Sequence, residues 1–105
     1  MWVFTNKGFV SIVRHDTKKD VFIVRARFKE HIKNLFPNIE VHESPDSDYR
    51  FRAFIPRRIV SRIIARNVDN IDYGNFKNSI DNRPYHDACL NVWGCMYKAQ
   101  QRLYD

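Results

Sequence analysis

The sequence predicts an α+β fold: a four-stranded, mainly antiparallel sheet in ββαββαα order, with helices packed on one face and one domain spanning residues 1–105. Three observations predict it. Strand-like alternation recurs along the first half of the chain, apolar residues recur with helical period in three later stretches, and polar loops separate them. With 44% hydrophobic, 14% aromatic and 29% charged residues, the chain has material for a core and is not disordered.

The elements follow in order. Met1 to His15 is rich in β-branched and aromatic residues and reads as one strand, with a turn or bulge at Asn6–Gly8 between its halves. Asp16–Asp20 is a polar hairpin loop, and Val21–Phe28 is the second strand. Lys29–Phe36 is a short helix with Ile32, Leu35 and Phe36 on one side, ended by Pro37-Asn38. Ile39–His42 is a third strand, Glu43–Asp48 a turn, and Tyr49–Ile55 a fourth strand with strict alternation. Pro56 suits a helix start, and Ile59, Val60, Ile63 and Ile64 carry that helix to about Val68. Asn75–Ile80 is a helical turn, which Asp81–Pro84 breaks. The last helix runs from about Tyr85 to Leu103, with Cys89, Val92, Trp93 and Met96 at i, i+3, i+4, i+7. Trp93, Met96, Tyr97 and Gln100 read as its core and rim.

Alternation assigns the faces. Phe22, Val24, Ala26 and Phe28 point one way with Tyr49, Phe51, Ala53 and Ile55, under the helices. The other face then carries Arg25, Arg27, Arg50 and Arg52, together with Ile23 and Phe54. Like charges side by side on a sheet repel, so such a face gains from solvent, from acids within the fold or from an anionic ligand. Arginine beside exposed aromatic rings is also the chemistry of single-stranded nucleic-acid platforms. The pattern extends along the chain. Between Tyr49 and Val68 there are six arginines and no acid, and Arg58, Arg62 and Arg66 stack at i, i+4, i+8. A stripe of this kind can track phosphates. The plainer reading is that Glu40, Glu43, Asp46, Asp48 and Asp69 fold over it and neutralise it, or that the outer face is simply solvated.

Catalytic chemistry is weakly signalled. The four histidines, His15, His31, His42 and His86, form no HxH or HExxH spacing, and His31 reads as a surface residue. His86 opens the last helix beside Asp87. The Asp46/Asp48 pair is better explained by its turn than by a metal. With three glycines the chain has little material for a Walker loop or GxGxxG, and the serines lack a nucleophile elbow. No catalytic residue, metal or cofactor is therefore assigned. The most distinctive loop is Ile71–Lys77. If the chain has a small-molecule pocket, Asp72, Asn75 and Lys77 would line it with Arg83 and His86. Otherwise Tyr73 and Phe76 pin a connector and Asn75 caps a turn.

Charge and cysteine usage bound the partners. The formal net charge of +6 favours anionic partners, above all nucleic acid or a nucleotide. Cys89 and Cys95 would lie on roughly opposite sides of one helix, which suits free thiols and a cytoplasmic protein. Met1–Lys7 lacks the regions of a secretion signal, and no apolar run approaches a membrane span, so no membrane partner is expected.

Several segments together resemble a family of small uncharacterised bacterial proteins of about this length. They are Trp2-Val3-Phe4-Thr5 with Gly8-Phe9 and Ser11, Val24–Arg27, Pro45–Arg52, Ile71–Lys77, Arg83 with His86-Asp87, Val92-Trp93 and Met96-Tyr97. The resemblance spans nearly the whole chain and implies no activity. It singles out Arg25, Arg27, Asp48, Arg50, Arg52, Asp72, Asn75, Lys77, Arg83 and His86 for testing.

The leading functional expectation is a non-enzymatic module that binds a phosphate-bearing ligand through Arg25, Arg27, Arg50 and Arg52, with Arg58, Arg62 and Arg66 extending the path. The alternative is a protein-interaction module: a homodimer through the sheet face, or a mobile-element-encoded inhibitor of another protein. A small enzyme using His86 with Arg83 or Asp72 comes third.

Overall fold

The computed structural model describes residues 1–104, which form two compact units, Met1–Asp72 and the segment from Tyr73 onward. The first unit is α+β, with a five-stranded antiparallel sheet rather than the four strands read from the sequence. The extra strand comes from the first segment. Residues 1–15 do not make one interrupted strand; Trp2–Thr5 (β1) and Gly8–Arg14 (β2) fold back on each other in register Thr5↔Gly8 to Trp2↔Ser11. Asn6-Lys7 is the whole connection. The Thr5 hydroxyl closes it, donating to the Gly8 carbonyl (3.1 Å) and accepting from the Lys7 N–H (3.1 Å).

Val21–Ala26 (β3) pairs with β2, and Phe51–Pro56 (β5) pairs with β3. The predicted strand at Ile39–His42 shrinks to His42–Glu43 (β4), which pairs with β5 at Arg52 and Phe51. Ile39 and Val41 pack against the core instead of lying in the sheet. The strand order is β1-β2-β3-β5-β4.

Helices Lys29–Leu35 (α1) and Arg57–Asp69 (α2) cover one face. Val10 and Ile12 of β2, Val24 and Ala26 of β3, and Ala53 and Ile55 of β5 form a single buried cluster with Ile32, Leu35 and Phe36 of the α1 region and Val60 of α2. Each fully buried aliphatic side chain here contributes about 1.5–3 kcal/mol. His31 is not the surface residue expected. Its Nδ1 accepts the Phe9 N–H (3.1 Å), which ties α1 to the β1–β2 hairpin. Burial holds its imidazole below the ordinary histidine range.

In the second unit, Asn75 caps a 3-10 turn at Lys77–Ser79, its Oδ1 accepting the Asn78 N–H (3.1 Å). Asn82 does the same for Arg83–Tyr104 (α3), accepting the Tyr85 N–H (3.0 Å). Pro84 lies in the first turn of α3, where a missing N–H costs nothing, so it opens the helix rather than preceding it. Tyr85 and Cys89 are buried, but Trp93 and Met96 are exposed, against the reading of them as core. A three-residue turn can cover only the start of a 22-residue helix. Such a helix is about 33 Å long.

Candidate nucleic-acid interface

Alternation and register put a second set of residues on the sheet face opposite α1 and α2. One cross-strand row reads Trp2, Ser11, Arg25, Arg52 and His42 from β1 to β4, and the next includes Val13, Ile23 and Phe54. Phe4 and Phe9 stack with centroids 4.4 Å apart, and Trp2 meets Phe9 edge-on at 5.8 Å.

The arginines of this face meet different fates. Arg50 is neutralised: its Nη2 lies 2.6 Å and its Nε 2.7 Å from Glu43 Oε2. Of the acids that could have folded over the arginines, Glu43 is the one that pairs. Arg25 and Arg52 sit directly opposite each other on β3 and β5. Among the described residues, no carboxylate oxygen lies within 4.0 Å of Arg25, Arg27 or Arg52. Arg25 Nη2 donates to the buried Ser11 hydroxyl (2.8 Å), and Arg27 Nη1 donates to the Asp48 carbonyl (2.6 Å). The Nε atoms of Arg25 and Arg52 are buried without a hydrogen-bond partner.

Tyr49 organises the group. The sequence aims it into the core with Phe51 and Ala53. It lies outside β5, however, and its buried ring sits 4.6 Å from the Arg25 guanidinium carbon and 4.5 Å from that of Arg27. A cation over a desolvated ring gains up to about 2 kcal/mol, which helps hold two cations together without an acid. Phe54, 45% exposed, stands between the rings of His15 and His42, each with its centroid 5.7 Å away. His15 is fixed by its Nδ1, which accepts the N–H groups of Thr17 (3.2 Å) and Lys18 (3.1 Å). The face therefore presents three guanidiniums with no carboxylate of the described residues beside them, with Trp2 exposed on β1 in the row of Arg25 and Arg52 and Phe54 exposed on β5 in the next row.

Arg58, Arg62 and Arg66 do not extend this surface. They lie on the exposed side of α2, which packs through Val60 on the opposite face of the sheet. The six-arginine run thus divides between two sides of the sheet. Arg57 is used locally, donating through Nε to the Lys19 carbonyl (3.1 Å) with its guanidinium 4.3 Å from the Phe22 ring centroid.

The residues suggested for a pocket also serve local roles. Asp72 is exposed at the end of the first unit. In the second unit Asn75 caps its turn, and Lys77 Nζ lies 5.3 Å from the Trp93 ring centroid. Arg83 Nε (3.4 Å) and His86 Nδ1 (3.1 Å) both approach Asp87 Oδ1. Burial pushes the Tyr85 phenol and the Cys89 thiol upward, so both stay protonated near neutrality. Among the described residues no three His, Cys, Asp or Glu side chains gather as metal ligands. No described helix is long and apolar enough to cross a membrane.

The alternation placed Arg25, Arg52 and Phe54, but Trp2, Phe9, Ser11 and Tyr49 escaped it. The signal for the first three was the polar Thr5-Asn6-Lys7-Gly8 stretch, which read as a tight turn puts β1 alongside β2. No protein-family model, curated protein or solved structure matches the chain.

Proposed function

We propose that the outer sheet face binds single-stranded nucleic acid, with Arg25, Arg27 and Arg52 on phosphates and Trp2 and Phe54 stacking on bases. The observation that carries this is the set of three guanidiniums with no carboxylate of the described residues beside them, on a face that also exposes two aromatic rings. Arg25 and Arg52 face each other across the β3–β5 pair. Opposed like charges are unfavourable until an anion lies between them. A phosphate backbone supplies such anions and releases counterions as it binds. Flat rings accept any base, so the reading implies preference for single strands over duplex with little sequence selectivity. Arg50, held by Glu43, contributes less.

Fluorescence anisotropy of labelled single- and double-stranded oligonucleotides at several salt concentrations tests it. Three phosphate contacts on a single strand give a slope of log affinity against log salt near −2, from about −0.7 per contact. Arg25→Ala with Arg52→Ala should flatten the slope to near −0.7. Absence of binding at low salt, or a slope unchanged in the double variant, would remove the proposal.

A further inference from the structure

The last helix carries an unpartnered face that the sheet reading leaves unused. Its stripe runs Tyr85, Cys89, Trp93, Met96, Gln100, Leu103, the last four at the 3-4-3 spacing of a coiled-coil seam. Tyr85 and Cys89 are buried. Beyond them the stripe is bare: Trp93 is 55%, Met96 67%, Leu103 73% and the flanking Tyr104 80% exposed. Trp93 and Tyr97 stack at 5.5 Å and wall an open groove of about 440 Å³ that continues along Met96, Gln100, Leu103 and Tyr104.

We propose that this face docks a second copy of the chain, α3 pairing with α3 about a two-fold axis. Area supports a second copy. Aromatic side chains carry about 150–250 Å² each, so the exposed parts of Trp93, Met96, Tyr97, Leu103 and Tyr104 offer about 600 Å² per copy, or ~1,200 Å² for a pair. That reaches the lower bound for a specific interface of about 1,200 Å². Charge supports it too. At 100° per residue, Lys98 and Arg102 fall on the side of α3 away from the groove, so the seam from Met96 to Leu103 carries no charge in either copy; Lys77, with its Nζ 5.3 Å from the Trp93 ring centroid, stands at the N-terminal end of that seam. An acidic peptide or an anionic lipid surface would need cations along the length of the groove, and Lys77 lies at one end only. Gln100 lies within the stripe, where a single polar residue can fix the register of a symmetric pair. The pairing uses residues of α3 alone and none of those assigned to nucleic acid, so it stands independently of that reading.

Sedimentation velocity of the full chain between about 5 and about 500 μM tests the pairing, a range matched to the weak affinity a minimal interface gives. The mass should rise from one chain to two across that range. Met96→Glu with Leu103→Glu should weaken pairing at least ~100-fold, because each seam then buries unpaired carboxylates. Both positions are exposed in the single chain and Glu is a good helix former, so far-UV circular dichroism should not change. Phe54→Ala, on the sheet, should pair like the parent chain. A single chain throughout the range would overturn the proposal. So would pairing that survives the double variant or is lost with Phe54→Ala.

Discussion

Replacing Gly8 by alanine tests the contact that fixes the hairpin against its helix. A Cβ on Gly8 would lie 2.7 Å from His31 Cγ, 2.8 Å from its Cβ and 2.9 Å from its Cα. None of these atoms is the free end of a flexible side chain, so the backbone of α1 itself would have to withdraw. Two hydrogen bonds resist that movement: Phe9 N–H to His31 Nδ1 (3.1 Å) and Asn34 Nδ2 to the Lys7 carbonyl (3.0 Å). Ile32, the next residue, is fully buried in the core cluster and would move with the helix. Overpacking costs about 1–3 kcal/mol. A weakened hydrogen bond adds about 1 kcal/mol, for an expected loss of about 2–4 kcal/mol. In a domain of this size that lowers the melting temperature by roughly 10–25 °C. The assay is urea and thermal unfolding followed by circular dichroism. A glycine-to-alanine change at an unobstructed site would stabilise by about 0.4–1 kcal/mol through the unfolded chain. A variant as stable as the parent, or more so, would therefore refute the close-approach argument.

Three further predictions follow from individual side chains. Phe54→Ala should weaken oligonucleotide binding by about 1–3 kcal/mol without altering the salt slope, measured by the same anisotropy titration. Because the folded state lowers the His31 pKa, the unfolded chain takes up that proton first as pH falls below the ordinary value of 6.5. Stability should decline through that window with a slope of at most about 1.4 kcal/mol per pH unit, and a stability–pH curve for His31→Gln should lose that part of the decline. Cys95 is exposed whereas Cys89 is buried with its thiol held protonated, so a thiol reagent at neutral pH should label one site quickly and the other only on unfolding.

What the sequence revealed and what it concealed divide along a physical line. Period-2 alternation states which way a side chain points once its strand is recognised, and Val24, Ala26, Ala53 and Ile55 on one face with Arg25, Arg52 and Phe54 on the other follow from it directly. It does not state where a strand begins. Tyr49 precedes β5, so its ring was free to turn beneath Arg25 and Arg27, and the parity count that aimed it at the core did not apply. Nor does it separate a bulge from a hairpin. The apolar pattern around Asn6–Gly8 admits either, whereas in the fold the Thr5 hydroxyl closes a turn and β1 pairs with β2 along its length. Helical period has the complementary blindness. It identified the apolar stripe of α3 correctly, but a stripe records a demand for cover and not its source. That demand is met at Tyr85 and Cys89, which are buried, and it continues past Trp93. A stripe that outruns its own unit is itself information, because a long exposed apolar face is disfavoured in a chain that stays alone in water. The misreading of Trp93 and Met96 as core and the proposal that α3 pairs with its own copy therefore come from the same residues. The sequence asks for their burial, and the single chain does not provide it.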